Sequence, residues 1–182
     1  WVSNGYMSEQ TRAAILPFLD AINIDLKFFN TNQYQKTCGG KLEPILDNLK
    51  YFKQHNAWVE VTTLSIPTLS DDDKQFKQIA DFIVRELGPE TPWHVSAFSP
   101  EISYKLQDLP QTNTATIERA ISIGKQAGLR HVYSGNAPGL DSQHTKCPKC
   151  GSIIIDRNGY QTVRHDNQGA CQNCGHKIAM VI

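Results

Sequence analysis

The chain has 182 residues, 40% of them hydrophobic and 20% charged, with eighteen basic side chains set against eighteen acidic ones. That composition is ordinary for a globular protein, leaves room for one domain of good size plus a small appendage, and excludes recruitment of nucleic acid or an anionic membrane by overall charge. There is no apolar run long enough to span a bilayer and no charged-then-apolar leader, so the expected location is cytoplasmic, with no membrane partner.

Trp1-Val2-Ser3 reads as the end of a strand running into Asn4-Gly5, and with no initiator Met the chain is expected to be a piece of a longer protein. From Ser8, a candidate N-cap, about two helical turns follow until Pro17 disturbs them. Ala21 to Asp25 forms a short apolar strand. Leu42, Ile45, Leu46, Leu49 and Phe52 recur at helical spacing, with Pro44 tolerated in the first turn. Trp58 to Leu64 is β-rich. Ser70 then caps a helix whose first turn carries Asp71, Asp72 and Asp73 at the positive end of its dipole. Its stripe is Phe76, Ile79, Ala80, Ile83 and Leu87, and Gly88 closes it. Trp93 to Ala97 is a fourth strand, Ile117, Ala120, Ile121, Gly124 and Ala127 mark another helix up to Gly128, and His131 to Tyr133 is a fifth strand.

Strict alternation of strands and helices predicts an α/β fold with adjacent parallel strands, either an open doubly wound sheet or a barrel, and periodicity does not choose between them. Five strands are too few to close an eight-stranded barrel, so in a barrel the first strands lie upstream of Trp1. The expected organisation is a partial barrel over residues 1–135, a linker over 136–145 with turn chemistry and no periodicity, and a metal-binding tail over 146–182. The open sheet of such a piece carries an unpaired edge, and aggregation or marginal stability is expected of it alone.

The tail contains Cys147-Pro-Lys-Cys150 and Cys171-Gln-Asn-Cys174, each pair followed by glycine (Gly151, Gly175). Two residues between thiolates let one tight turn present both sulfurs to a single ion. Around Asn158-Gly159, Ser152 to Ile155 and Gln161 to Arg164 read as a hairpin joining the two knuckles, the architecture of a zinc ribbon. Four thiolates close the coordination shell, which favours a structural Zn2+. A rubredoxin-like iron takes the same ligands, and two disulfides are the alternative for an oxidising compartment. Lys146, Lys149, Arg157, Arg164 and Lys177 make the tail mildly basic. Tyr160 is its only aromatic, so it offers no stacking platform for nucleic acid.

Ser3-Asn4-Gly5 and Asp25-Leu26-Lys27 stand at the carboxy-terminal ends of the first two strands, where parallel barrels keep their chemistry. A turn and a solvated charge pair are their ordinary explanations. Taken with Val59 to Pro67 (VEVTTLSIP), Ser70 to Asp73 (SDDD), Trp93 to Phe98 (WHVSAF) and Gly135 to Gly139 followed by Cys-Pro-Lys-Cys-Gly, they resemble the later half of the radical S-adenosylmethionine (SAM) enzymes. The likeness is to the glycyl-radical-enzyme activases and, more nearly, to the AmmeMemoRadiSam members, over the whole chain.

That resemblance implies a partial (β/α) barrel and reductive cleavage of SAM at a [4Fe-4S] cluster, giving a 5′-deoxyadenosyl radical for hydrogen abstraction. It also implies an electron donor and leaves the substrate open, a protein encoded alongside being one compatible acceptor. The cysteine loop that holds the cluster, C-x3-C-x2-C, is not in this sequence. Among residues implied to contact SAM, Lys27 matches the lysine that pairs with the SAM carboxylate, within the string that opens with Asp25. Ser3 and Asn4 match the segment beside the methionyl moiety, and Thr62 lies on the strand facing the adenosine. Val2 stands where the activases carry an acidic residue, Ser99 where relatives place a histidine, and Ala97 where a larger polar side chain is expected.

Cys38 lies in the segment Thr37-Cys-Gly-Gly40 without a CxxC partner, and is read as a plain thiol near a turn. His94 reads as a proton donor or as a hydrogen-bonded structural histidine. The rival from a different class is a non-catalytic module whose ribbon docks a protein or nucleic acid and whose α/β part is scaffold.

Overall fold

Parallel strands need a crossover that carries the chain back over the sheet, and an amphipathic helix after each apolar run supplies it. The computed structural model describes residues 1–159 and 161–181. Its strands β1 (Val2–Ser3), β2 (Ala21–Asp25), β3 (Trp58–Ser65), β4 (Trp93–Ala97) and β5 (Val132–Gly135) form one sheet. They lie side by side in sequence order, and every pair is parallel. A doubly wound sheet reverses its strand order part-way, whereas sequential order with crossovers of one hand places the helices on one face. The strand order thus selects the partial barrel.

The helices are α1 (Glu9–Ile15), α2 (Thr31–Cys38), α3 (Glu43–Gln54), α4 (Asp73–Phe82) and α5 (Thr114–Ala127). Alternate strand residues, Ile22, Ile24, Val59, Val61, Trp93 and Val95, are fully buried in one cluster with Ile45, Leu49 and Phe52 of α3, Phe76 and Ile79 of α4, and Ile117 of α5. Each such side chain contributes roughly 1.5–3 kcal/mol relative to exposure. The intervening residues Asn23, Asp25, Glu60, Thr62, His94, Ser96 and Tyr133 are only half-buried. The sheet therefore has one apolar face under helices and one polar face left open.

Two local expectations change. The helix after β3 is capped by Asp72, whose side chain accepts from the Gln75 backbone N–H. Ser70 is buried instead, its hydroxyl accepting from the Ile66 N–H and donating to the Leu64 carbonyl, which closes the turn leaving β3. Cys38, expected in a loop, is the last residue of α2. That helix has clear end signals, Asn30 capping Gln33 and Gly39 at φ +71°, but buries only Tyr34, so no periodicity marks it.

The loop after β1 is held from α3. Asn48, 1% exposed, donates to the carbonyls of Gly5 (2.8 Å) and Met7 (3.0 Å) and accepts from Arg12 Nη1 (3.0 Å). Gly5 sits at φ +69°, and a Cβ there would lie 2.6 Å from Ile24 Cγ2, so any other residue is strained and forces Ile24 to shift.

The tail has its own small core of Cys147, Ile154, Cys171 and Ile178. Strands β6 (Thr145–Lys146), β7 (Ile153–Asn158) and β8 (Gln161–Arg164) pair antiparallel in that order, and β9 (Asp166–Asn167) pairs with β10 (Ala170–Cys171). Asn158 pairs with Gln161, so the hairpin reverses one residue later than an Asn-Gly turn implies; Tyr160 lies outside the described residues. The 136–145 segment carries a short 3-10 turn, Asp141–Gln143, and its Ser142 hydroxyl meets that of Ser134 in β5 at 3.0 Å. Among the described residues, no helix is long and apolar enough to cross a membrane.

Replacing Asn48 by Ala leaves two buried carbonyls and a guanidinium without their partner. The expected loss is roughly 1–3 kcal/mol, the cost of orphaning buried polar groups, seen as a lower urea midpoint at unchanged slope. An unchanged midpoint would mean that the 5–7 loop is held by something other than Asn48.

Candidate functional site

Four sulfurs converge in the tail. Cys147, Cys150, Cys171 and Cys174 place their Sγ atoms within 4.8 Å of one another, with 3.7 Å between Cys147 and Cys174 and 3.6 Å between Cys150 and Cys171. A disulfide needs about 2 Å, and the edge of a tetrahedron with metal–sulfur bonds of about 2.3 Å is about 3.8 Å. The spacing is that of four ligands around one ion, and all the cysteines are free. Each knuckle is a tight turn, Gly151 N–H donating to the Cys147 carbonyl and Gly175 N–H to the Cys171 carbonyl. Thiols this close do not ionise independently. Hydrogen bonds from Ser152 bring Cys150 down to about 5. For Cys174 a hydrogen bond from the His176 backbone favours the thiolate, but desolvation and the three neighbouring sulfurs outweigh it and push the thiol up to about 12. A cation at the centre removes that conflict.

The second cluster occupies the open face of the sheet. In the register, Asp25 of β2 lies beside Thr62 of β3, Thr62 beside His94 of β4, and His94 beside Tyr133 of β5. Glu60, one pleat earlier on β3, is the hub. Its carboxylate accepts from His94 Nε2 (2.8 Å), Trp58 Nε1 (3.0 Å) and Asn23 Nδ2 (3.5 Å), while Asn23 Oδ1 accepts from the Thr62 hydroxyl (2.8 Å). Burial opposes ionisation of Glu60, but these donors prevail and hold its carboxyl down to about 2. His94 stacks on Tyr133, ring centroids 5.1 Å apart, and Arg157 of the tail lies over the same Tyr133 ring at 5.3 Å.

Of the residues matched to SAM contacts, Ser3, Asn4, Asp25 and Lys27 fall at or just past the carboxy-terminal ends of β1 and β2, and Thr62 lies within β3. Asn4 and Lys27 line one cavity of about 410 Å³ together with Tyr6, Tyr34, Cys38 and Gly40. Lys27 Nζ reaches Asp25 Oδ2 at 2.6 Å, and both side chains are about one-third exposed. Ser3 Oγ and Asn4 Oδ1 accept from the backbone N–H groups of Gly5 and Tyr6, so both shape the turn. Thr62 stands in the polar row, away from that cavity. Val2 is exposed beside Asn23 in the register. Burial raises the Tyr34 hydroxyl above its ordinary value, and the Cys38 thiol is also raised by burial, against the opposing charge of Lys27. His94 is hydrogen-bonded through Nε2 to the Glu60 carboxylate. Glu60, Asn23 and Tyr133 were not singled out from the sequence, and Arg157 was named there as one of the tail's basic residues. For Glu60 the signal was the polar alternation Trp-Val-Glu-Val-Thr-Thr, since a parallel strand covered on both faces reads as a continuous apolar run.

No protein-family profile matches the chain. It is 40% identical over its full length to an uncharacterized protein of Methanocaldococcus jannaschii and spans 54% of that protein. Among solved structures it resembles a domain of a pyruvate-formate lyase-activating enzyme from Bacteroides vulgatus, with a TM-score of 0.62 and 17% identity, covering 73% of this chain and 78% of that one. It also resembles a radical SAM methyltransferase from Sphaerobacter thermophilus, with a TM-score of 0.52 and 12% identity over 65% of this chain and 37% of that one. The fold is thus the parallel α/β sheet shared with these two structures, followed by a four-cysteine cluster.

Two outcomes follow. Because the folded pKa of Glu60 lies below its ordinary 4.5, the stabilisation by its ionised form is complete above that value and is lost as pH falls through about 2. Glu60→Gln should be less stable than the native chain at neutral pH, and the gap in urea midpoint should close as pH falls from 4.5 toward 2; a constant gap would remove the linkage. For the tail, Cys171→Ser should abolish hydrogen-exchange protection in β7 and β8 while leaving β2 to β4 protected. Protection that survived in the tail would show that its fold does not need a complete ligand set.

Proposed function

We propose that this chain is the SAM-facing part of a radical SAM enzyme of the AmmeMemoRadiSam type, working in a reducing compartment, with a structural zinc at Cys147, Cys150, Cys171 and Cys174. The observation that carries the reading is that Asn4 and Lys27 line one cavity at the carboxy-terminal edge of a sheet of this fold. A zwitterionic amino-acid group suits that edge: the Lys27 ammonium faces a ligand carboxylate, and Asp25 supplies the opposite charge for an amino group. Ser3 and Asn4 hold the turn that forms the cavity wall. Thr62, in the polar row with His94, suits the adenosine portion.

In such enzymes a [4Fe-4S] cluster supplies the electron that cleaves SAM to a 5′-deoxyadenosyl radical. The cysteines of this chain do not fit that cluster, since four form one closed set and Cys38 stands apart. The chain's own contribution is therefore to bind and orient SAM, and the hydrogen donor and electron donor belong to the whole protein. For the tail, sulfur spacings near 3.7 Å agree with tetrahedral zinc, and the closed shell fits a structural role.

The test compares SAM binding by calorimetry, on anaerobic protein extended to the length of the relative of which it spans 54%, for the native chain, Lys27→Ala and Lys36→Ala. Lys27→Ala should weaken binding about tenfold, the equivalent of one charge-assisted hydrogen bond, and Lys36→Ala should leave it unchanged. Equal affinities, or zinc without iron-sulfur absorption in the extended form, would overturn the reading.

A further inference from the structure

The tail touches the sheet at a point that matters for the open face. We propose that Arg157, carried on β7 of the four-cysteine tail, is a positioning residue for His94, so that an assembled metal knuckle sets the geometry of the Glu60–His94 pair on the open face.

The chain of contacts is continuous. Thr145, 3% exposed, lies two residues before the first ligand, Cys147, and on β6, which pairs with β7. Its hydroxyl meets the Tyr133 hydroxyl at 2.9 Å and accepts from Arg157 Nη1 at 2.8 Å. The same Nη1 donates to the Gln143 carbonyl at 3.1 Å, and the Arg157 backbone N–H donates to His144 Nδ1 at 3.1 Å. The guanidinium is thus tied at two points through Nη1, the residue is held at a third through its backbone, and the guanidinium lies over the Tyr133 ring, a cation–π contact that a fixed planar fork makes well. Tyr133 in turn stacks on His94, and His94 Nε2 meets the Glu60 carboxylate.

The consequence for His94 is chemical. A carboxylate held ionised only accepts, so Nε2 donates to it, and in the neutral ring Nδ1 is the acceptor, with no protein partner among the described residues. His94 therefore presents a single tautomer to a ligand hydroxyl or ammonium group on the sheet face. Without Arg157 the Tyr133 ring loses one of its supports, the stack loosens, and the Glu60 bond no longer selects one tautomer. The coupling relies on the SAM reading only for its purpose, and it is measured on the chain without any ligand.

The experiment records the histidine ring nitrogens and tryptophan indole N–H groups of the metal-loaded full chain by NMR, well above neutral pH, in the native protein, Arg157→Ala, Arg157→Lys and Cys171→Ser. The native spectrum should show His94 protonated on Nε2 alone. In all three variants its two nitrogens should move toward averaged positions, and the Trp58 indole, which shares Glu60, should shift with them. Trp93, buried and donating to Thr63 Oγ1, reports the core and should stay in place. In a Tyr133→Leu background, Arg157→Ala should add nothing. A His94 signal untouched by Arg157→Ala would overturn the coupling, and so would a Trp93 shift as large as that of Trp58, which marks general loosening. Since no SAM is present, either result is independent of whether the face binds it.

Discussion

Glu60 is a carboxylate on the open face of a parallel sheet, and the donors that keep it ionised are what the rest of that face is arranged around. Trp58 reaches it along the same strand, Asn23 from β2 and His94 from β4, so one side chain links the polar faces of three neighbouring strands. Thr62 joins the set through Asn23, and Tyr133 through its stack on His94. A half-buried carboxylate without these partners would favour its neutral form, and the bonds that order the row would weaken together.

The two faces of the sheet are built by different physics. Under the helices, large apolar side chains fill the space, and polar groups such as Trp93 Nε1, which donates to Thr63 Oγ1, and that hydroxyl, which donates to the Leu26 carbonyl, are satisfied locally. On the open face the tail packs against Tyr133 through Arg157 and Thr145, and directional hydrogen bonds and ring stacking do the rest of the ordering. The ligand-sized cavity lies at the carboxy-terminal edge, where the two regimes meet. There the turn after β1 must be rigid, and a buried amide on α3 together with a glycine whose backbone strains any side chain makes it so.

The tail illustrates the limit of a small core. Four buried residues, two of them cysteines, cannot offset the chain entropy of ordering several short strands, which is why small domains rely on metal or disulfide cross-links. The geometry of the four sulfurs answers that need. It also gives the tail a stiff arm, because the strand that follows the first knuckle carries Arg157 to the edge of the sheet.

Much of this was legible without coordinates. Apolar period and end signals mark the strands and most helices because burial on one face imposes them directly on the sequence, and two CxxC pairs announce a metal site because ligand spacing is local. The α2 helix escaped because it buries one residue, and Ser70 was misread as a cap because a serine before three aspartates has the same pattern whether it caps or closes a turn. The tertiary structure alone decided between barrel and doubly wound sheet, since strand order is not a local property. It alone brought Glu60 and His94, 34 positions apart, to 2.8 Å, and Arg157 over Tyr133, because register between strands is set by the packing of the helices joining them and leaves no mark on either residue's neighbours.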